Sequence, residues 1–144
     1  MANIVPDSFK TDLLKGTFNF DSSGGDTFKL ALYTDISGFS TSTTAYTTTN
    51  EVSSSGTGYT AAGNTLTNNG VSVASNVAFV DFADLTFSSV TLTADSALIY
   101  KDSASDEAVL VLDFGGDKTA TNGDFVIQFP TADSTNAIIR LGDA

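Results

Sequence analysis

Phe28-Lys29-Leu30-Ala31-Leu32-Tyr33 and Phe125-Val126-Ile127-Gln128-Phe129 decide the fold class of this chain. In the first, Phe28, Leu30 and Leu32 fall on one side of an extended backbone; in the second, Phe125, Ile127 and Phe129 do. Side chains of a strand alternate between faces, so an apolar residue at every second position marks a strand with one buried side. The same rhythm recurs after Gly16 in short β-prone runs separated by clusters of Gly, Asn, Asp and Ser. It predicts strands over residues 17–20, 27–33, 64–66, 71–74, 78–82, 86–92, 97–101, 109–114, 125–129 and 137–141. The class is all-β, an antiparallel β-sandwich.

Ala108-Val109-Leu110-Val111-Leu112 breaks the alternation by being apolar on both faces. Such a run belongs to a central strand covered on both sides or to one at a subunit contact. It should pair with residues 97–101 across a hairpin loop at 102–107. Residues 115–124, with Gly115, Gly116, Asn122 and Gly123 near their ends, read as a second, longer hairpin tip.

One stretch reads as a helix. Asp7 can cap it, Phe9, Leu13 and Leu14 fall to one side, Lys15 suits its last turn, and Gly16 can stop it. Two to three turns are too short to stand alone, so this helix must dock on its own sandwich or on a neighbouring subunit. The chain therefore divides into an N-terminal arm with a short helix, 1–16, and a single β-sandwich domain, 17–144. Within the latter, residues 34–63 form a long excursion rich in Ser and Thr. Its aromatic residues Phe39, Tyr46 and Tyr59 either anchor it to the core or offer flat faces on which sugars stack.

With 144 residues the chain can bury a core unaided. It contains neither cysteine nor histidine, which removes disulfides, thiolate and imidazole metal ligands, and the usual proton shuttle near neutral pH. Seventeen acids against six bases give a net charge of −11, which repels phosphate backbones and anionic lipid, so neither nucleic acid nor a membrane is expected as partner. No basic and apolar leader opens the sequence, which points to synthesis and folding in the cytoplasm.

Motifs that suggest chemistry lack their contexts. Asp113-Phe114-Gly115 spells the magnesium-binding tripeptide of kinases without a glycine loop or catalytic loop. Gly116-Asp117-Lys118-Thr119 has an aspartate where a phosphate-binding loop needs glycine before its lysine, and lies between strands. The acids Asp102, Asp106 and Glu107, and Asp113, Asp117 and Asp124, do not have the spacing of a calcium loop. The expectation is no catalytic residue, no cofactor and no metal site.

Several segments carry a family resemblance. They are Ile4-Val5-Pro6-Asp7-Ser8-Phe9-Lys10, Phe28 to Thr34, Thr44-Ala45-Tyr46, Asn50-Glu51-Val52 and Gly56 to Leu66. Leu112-Asp113-Phe114-Gly115, Asn122-Gly123-Asp124-Phe125 and Asn136-Ala137-Ile138-Ile139-Arg140 complete the set. Together they resemble a family of small virion structural proteins of tailed bacteriophages, over nearly the whole chain. The resemblance implies head decoration, or cement, by a jelly-roll-like sandwich that clamps neighbouring subunits of the major capsid protein, most often as a homotrimer. It places the chain on the outer capsid surface of the virion, assembled in the host cytoplasm. A neck or tail component, or a sugar- or receptor-binding fibre domain, are the alternatives. The residues expected at assembly contacts are Ile4, Val5, Phe9, Leu13, Leu14, Phe39, Tyr46 and Tyr59.

Overall fold

A computed structural model describes residues 2–143 as two antiparallel sheets packed face to face, with one short helix near the N-terminus. The helix α1 spans Asp7–Leu14. The strands are β1 Phe28–Tyr33, β2 Asn64–Thr65, β3 Asn68–Ala74, β4 Val77–Phe82, β5 Leu85–Lys101, β6 Ala108–Ile127 and β7 Ile139–Leu141. The first sheet has the order β2-β1-β5-β6 and the second β3-β4-β7. Among the described residues, no helix is long and apolar enough to cross a membrane.

The alternation in β1 sorts its side chains as the sequence implies. Phe28, Leu30 and Leu32 enter the main core between the sheets, with Ala97, Ile99, Val109, Leu110, Val80 and Phe82. Ala31 and Tyr33 point the other way, into a second cluster with Leu98, Tyr100, Ala108, Val111 and Phe39. The doubly apolar run 108–112 is thus a strand whose two faces are both covered by this chain. It pairs with β5 in the expected place, Ala97 opposite Leu112 and Ile99 opposite Leu110, across the loop at 102–107.

Several sequence expectations are corrected. Residues 86–92 and 97–101 are one strand, β5, and residues 109–114 and 125–129 belong to one strand, β6. The segment 115–124 is therefore not a hairpin tip but the bulged middle of β6. Between the pairs Ser96–Asp113 and Ala94–Lys118, a single residue of β5 faces Phe114, Gly115, Gly116 and Asp117. Gly115 and Gly116 take φ of +73° and +128°, which a bulge needs as much as a turn does.

Residues 17–20 form no strand. Phe18 and Phe20 are buried there as loop anchors, 5.1 and 6.2 Å from the Phe9 ring, and Phe20 stacks on Phe28 at 4.6 Å. Strand character at 137–141 shortens to β7. In α1, Pro6 occupies the capping position and Asp7 is already helical, with no side-chain cap. Phe9 is buried but Leu14 is 82% exposed. At 3.6 residues per turn Leu13 lies about 40° from Phe9 around the helix and Leu14 about 140°, so only Leu13 can follow Phe9 into the core.

Candidate functional site

Residues 34–63 are where the sequence places its aromatic contact residues, and the segment is fastened along β1. Beyond β2 the outer edge of β1 would carry unpaired backbone groups. Instead, Glu51 bridges Tyr33, the Val52 N–H donates to the Leu32 carbonyl at 2.9 Å, and the Leu32 N–H donates to the Tyr59 hydroxyl at 3.0 Å. Phe39 packs edge-on against Tyr33 at 4.7 Å, and Tyr46 stacks on Tyr100 at 4.9 Å, so the excursion roofs the outer face of the first sheet.

Glu51 is the hub of this roof. Its carboxylate accepts the Tyr46 hydroxyl at 2.6 Å, the Tyr59 hydroxyl at 2.8 Å and the Ala62 N–H at 2.6 Å. Nearby, the Tyr33 hydroxyl donates to the Thr47 carbonyl and the Tyr100 hydroxyl to the Ala62 carbonyl, both at 2.7 Å. Burial pushes the Tyr33, Tyr46, Tyr59 and Tyr100 hydroxyls above the usual phenol range, and the Glu51 carboxylate adds to the effect. Phenols held neutral beside a carboxylate are donors to it, so this constellation ties a loop down.

The opposite side of the sandwich, where α1 lies against β6 and β7, is open. A groove of about 250 Å³ runs between them, lined by Val5, Phe9, Leu13, Leu14, Val109 and Leu141 among others. Ile138 lies at its end and also lines a larger cleft of about 540 Å³, where Phe114, Phe125 and Phe129 meet Lys118, Asp124 and Gln128. The N-terminal arm enters here as one rung beside β6. The Ile4 N–H and carbonyl bond the Val111 carbonyl and N–H, each at 2.9 Å.

The residues expected at contacts therefore separate into two groups. Phe9, Phe39 and Tyr59 are buried within the chain, and Ile4, Leu13 and Tyr46 are half-buried against its clusters. Val5 and Leu14 are exposed and belong to the open groove. Glu51 was not singled out from sequence, although an acid between two loop tyrosines is a visible signal. Neither were Val71, Val73 and Leu141, which are 49%, 72% and 60% exposed.

The acids of the 102–107 loop, considered as cation ligands, are engaged with neighbours. Asp102 lies 3.3 Å from the Lys29 ammonium, and Asp26 lies 3.1 Å from that of Lys101. Glu107 accepts the Ser103 hydroxyl, which holds its carboxyl below the ordinary range, and Asp106 accepts the Ser103 N–H. Among the described residues, no three acids stand close enough together to hold a metal ion. Compared with protein-family models, with curated proteins and with solved structures, the chain finds no match in any of the three.

Proposed function

We propose that this chain is a non-enzymatic virion structural protein of a tailed bacteriophage, a capsid decoration protein that clamps neighbouring major capsid subunits from the outer surface. The observation that carries the reading is the disposition of apolar side chains. The loop aromatics are turned inward to stiffen the sandwich, while the apolar surface left outside gathers at the α1 and β7 side, where another protein can cover it. A small rigid body with one sticky side and a strongly acidic remainder suits a part that is repeated many times on a scaffold and stays soluble before docking. The likeness of its segments to small phage virion proteins supplies the particular assembly, the major capsid protein as partner and a homotrimer as the docking unit.

The test is co-sedimentation of the purified chain with heads assembled from the major capsid protein of the same phage. Expanded heads should retain the chain in numbers comparable to the capsid subunits, and unexpanded heads should retain little. Binding confined to a single ring of copies at one vertex would assign it to the neck instead, and no binding to either form would reject the capsid role.

A further inference from the structure

Asn-Gly occurs twice in the chain, at Asn69-Gly70 in β3 and at Asn122-Gly123 in β6. The dipeptide is reactive in a loose backbone. Glycine has no Cβ to shield its nitrogen, and its freedom lets the chain bring that nitrogen against the asparagine side chain. The fold treats the two copies differently.

At the first copy both reacting groups are held. The Gly70 N–H donates to the Asn68 side-chain oxygen at 2.9 Å, and the Asn69 side-chain nitrogen donates to the Asp81 carboxylate at 3.0 Å. Gly70 is buried. The register of β3 on β4 shifts once at Asn69, then runs unbroken from Gly70–Asp81 to Ala74–Val77.

At the second copy the ladder is interrupted on both sides. The pair Val90–Gly123 stands between two register shifts, one toward Phe87 and one toward Leu92. Each strand also carries a left-handed residue here, Ser89 at φ +56° and Asn122 at φ +47°, a conformation that costs an L-residue free energy. Asn122 is exposed, and its side-chain oxygen accepts the Thr91 hydroxyl at 3.3 Å. Among the described residues its amide nitrogen has no partner. The backbone at Asn122 must turn before the Gly123 nitrogen can reach the side chain, and an isolated, strained rung opens at less cost than a regular ladder.

We propose that Asn122 is a site of spontaneous modification, converted in the folded chain to aspartate and isoaspartate through a cyclic imide while Asn69 persists. The Gly123 nitrogen loses its proton to solvent and attacks Asn122 Cγ. A C–N bond forms, the bond from Cγ to Nδ2 breaks, and Nδ2 leaves as ammonia after taking up a proton. The Thr91 hydroxyl faces the oxygen on which negative charge builds during the attack. One water then opens the imide at either carbonyl, giving aspartate or isoaspartate, and no electrons are exchanged. Each conversion adds a negative charge close to Asp124, which accepts the Ser89 N–H at 3.3 Å, and isoaspartate also puts one more methylene into the main chain of β6. The β5–β6 ladder therefore ages first at this rung, whatever the chain assembles with.

Peptide mapping by mass spectrometry of the full chain, incubated at neutral pH and physiological temperature, tests the site. The readout at each asparagine is the mass gain of a hydroxyl replacing an amino group, with isoaspartate separated from aspartate by chromatography. Asn122 should convert at least about tenfold faster than Asn69, the ratio that about 1.4 kcal/mol of difference in barrier gives. In urea, where neither site is folded, the two should convert at similar rates, which makes the difference a property of the fold. Gly123→Ala is the blocking variant. Gly123 is not left-handed, and a Cβ there would meet nothing nearer than the Thr121 carbonyl at 3.6 Å, so alanine fits the fold while shielding the nitrogen. A melting curve verifies that fit, and conversion at Asn122 should then fall about tenfold or more. Conversion of Asn69 as fast as Asn122 in the folded chain overturns the proposal. So does a folded chain that keeps both asparagines while the chain in urea loses them, or a Gly123→Ala protein that converts Asn122 at the native rate.

Discussion

The Tyr59 hydroxyl joins strand to loop in both directions, accepting the Leu32 N–H at 3.0 Å and donating to Glu51 at 2.8 Å. One phenol thereby closes the free edge of β1 and orients the carboxylate that also holds Tyr46 and Ala62. Removing that acceptor strands two hydroxyls and an N–H. Glu51→Ala should lower unfolding free energy by roughly 2–5 kcal/mol, and Glu51→Gln, which keeps one acceptor oxygen, by roughly 1–2 kcal/mol. Chemical denaturation measures both. A Glu51→Ala protein as stable as the native chain would show that the roof is held by ring packing alone.

All four tyrosines belong to this network, and in each the folded state keeps the phenol neutral to higher pH than an unfolded chain does. Their native pKa lies above the unfolded value, so their contribution is complete below about pH 10 and is lost as pH rises beyond it. The unfolded state releases protons there first, and stability falls by up to about 1.4 kcal/mol per pH unit for each buried phenol. Tyrosinate absorbance during an alkaline titration should stay near zero and then rise in one cooperative step together with loss of the β signal. Gradual ionisation of a folded protein near the ordinary phenol pKa would contradict the network.

Gly63 shows where a backbone position is dictated by close approach. It sits at φ +74°, just before β2, and a Cβ there would run into the Leu30 carbonyl across the strand pair. Gly24 has almost the same φ, +77°, but open space around it. Gly24→Ala should cost only the left-handed conformation, about 1 kcal/mol. Gly63→Ala should cost roughly 3 kcal/mol or more, because main chain must shift as well. Equal effects in thermal melts would mean that β2 can move away from β1 freely.

The core of the fold is legible from sequence because its signals are local. Period-two patterning identifies β1, and a run apolar on both faces identifies a strand covered on both sides at residues 108–112, although that strand, β6, lies at the edge of the first sheet and not at its centre. What escapes local reading is register. Gly115 and Gly116 take left-handed φ in a bulge as they would in a turn, and only the pairing of Asp113 with Ser96 tells the two apart. Val71 and Val73 alternate as inward residues should, yet nothing nearby in sequence reveals that the core ends before reaching Val73. Glu51 is hidden for a similar reason, since its meaning depends on Tyr46 and Tyr59 converging on it.

Phe9 and Leu14 divide the two roles of α1. Phe9→Ala removes a ring that touches Phe18 and Phe20 in the core and should destabilise the chain by roughly 3–5 kcal/mol. Leu14→Ala, at a position 82% exposed, should change the stability of the isolated chain by no more than about 0.5 kcal/mol. Urea denaturation at protein concentrations below association separates the two. A Leu14→Ala loss approaching that of Phe9→Ala would mean that α1 docks in a different rotation.

Salt distinguishes the forces in the proposed homotrimer. Each copy carries a charge of −11, so bringing copies together works against long-range repulsion. At about 0.01 M salt the screening length is roughly 30 Å, long enough for those charges to act across a small domain, whereas at 0.15 M it is roughly 8 Å. Apolar burial itself does not weaken with moderate salt. Self-association should therefore tighten as salt is raised over this range, as sedimentation velocity at each salt concentration would read. Association that loosens with added salt would show that ion pairs between copies, rather than apolar burial, carry the contact.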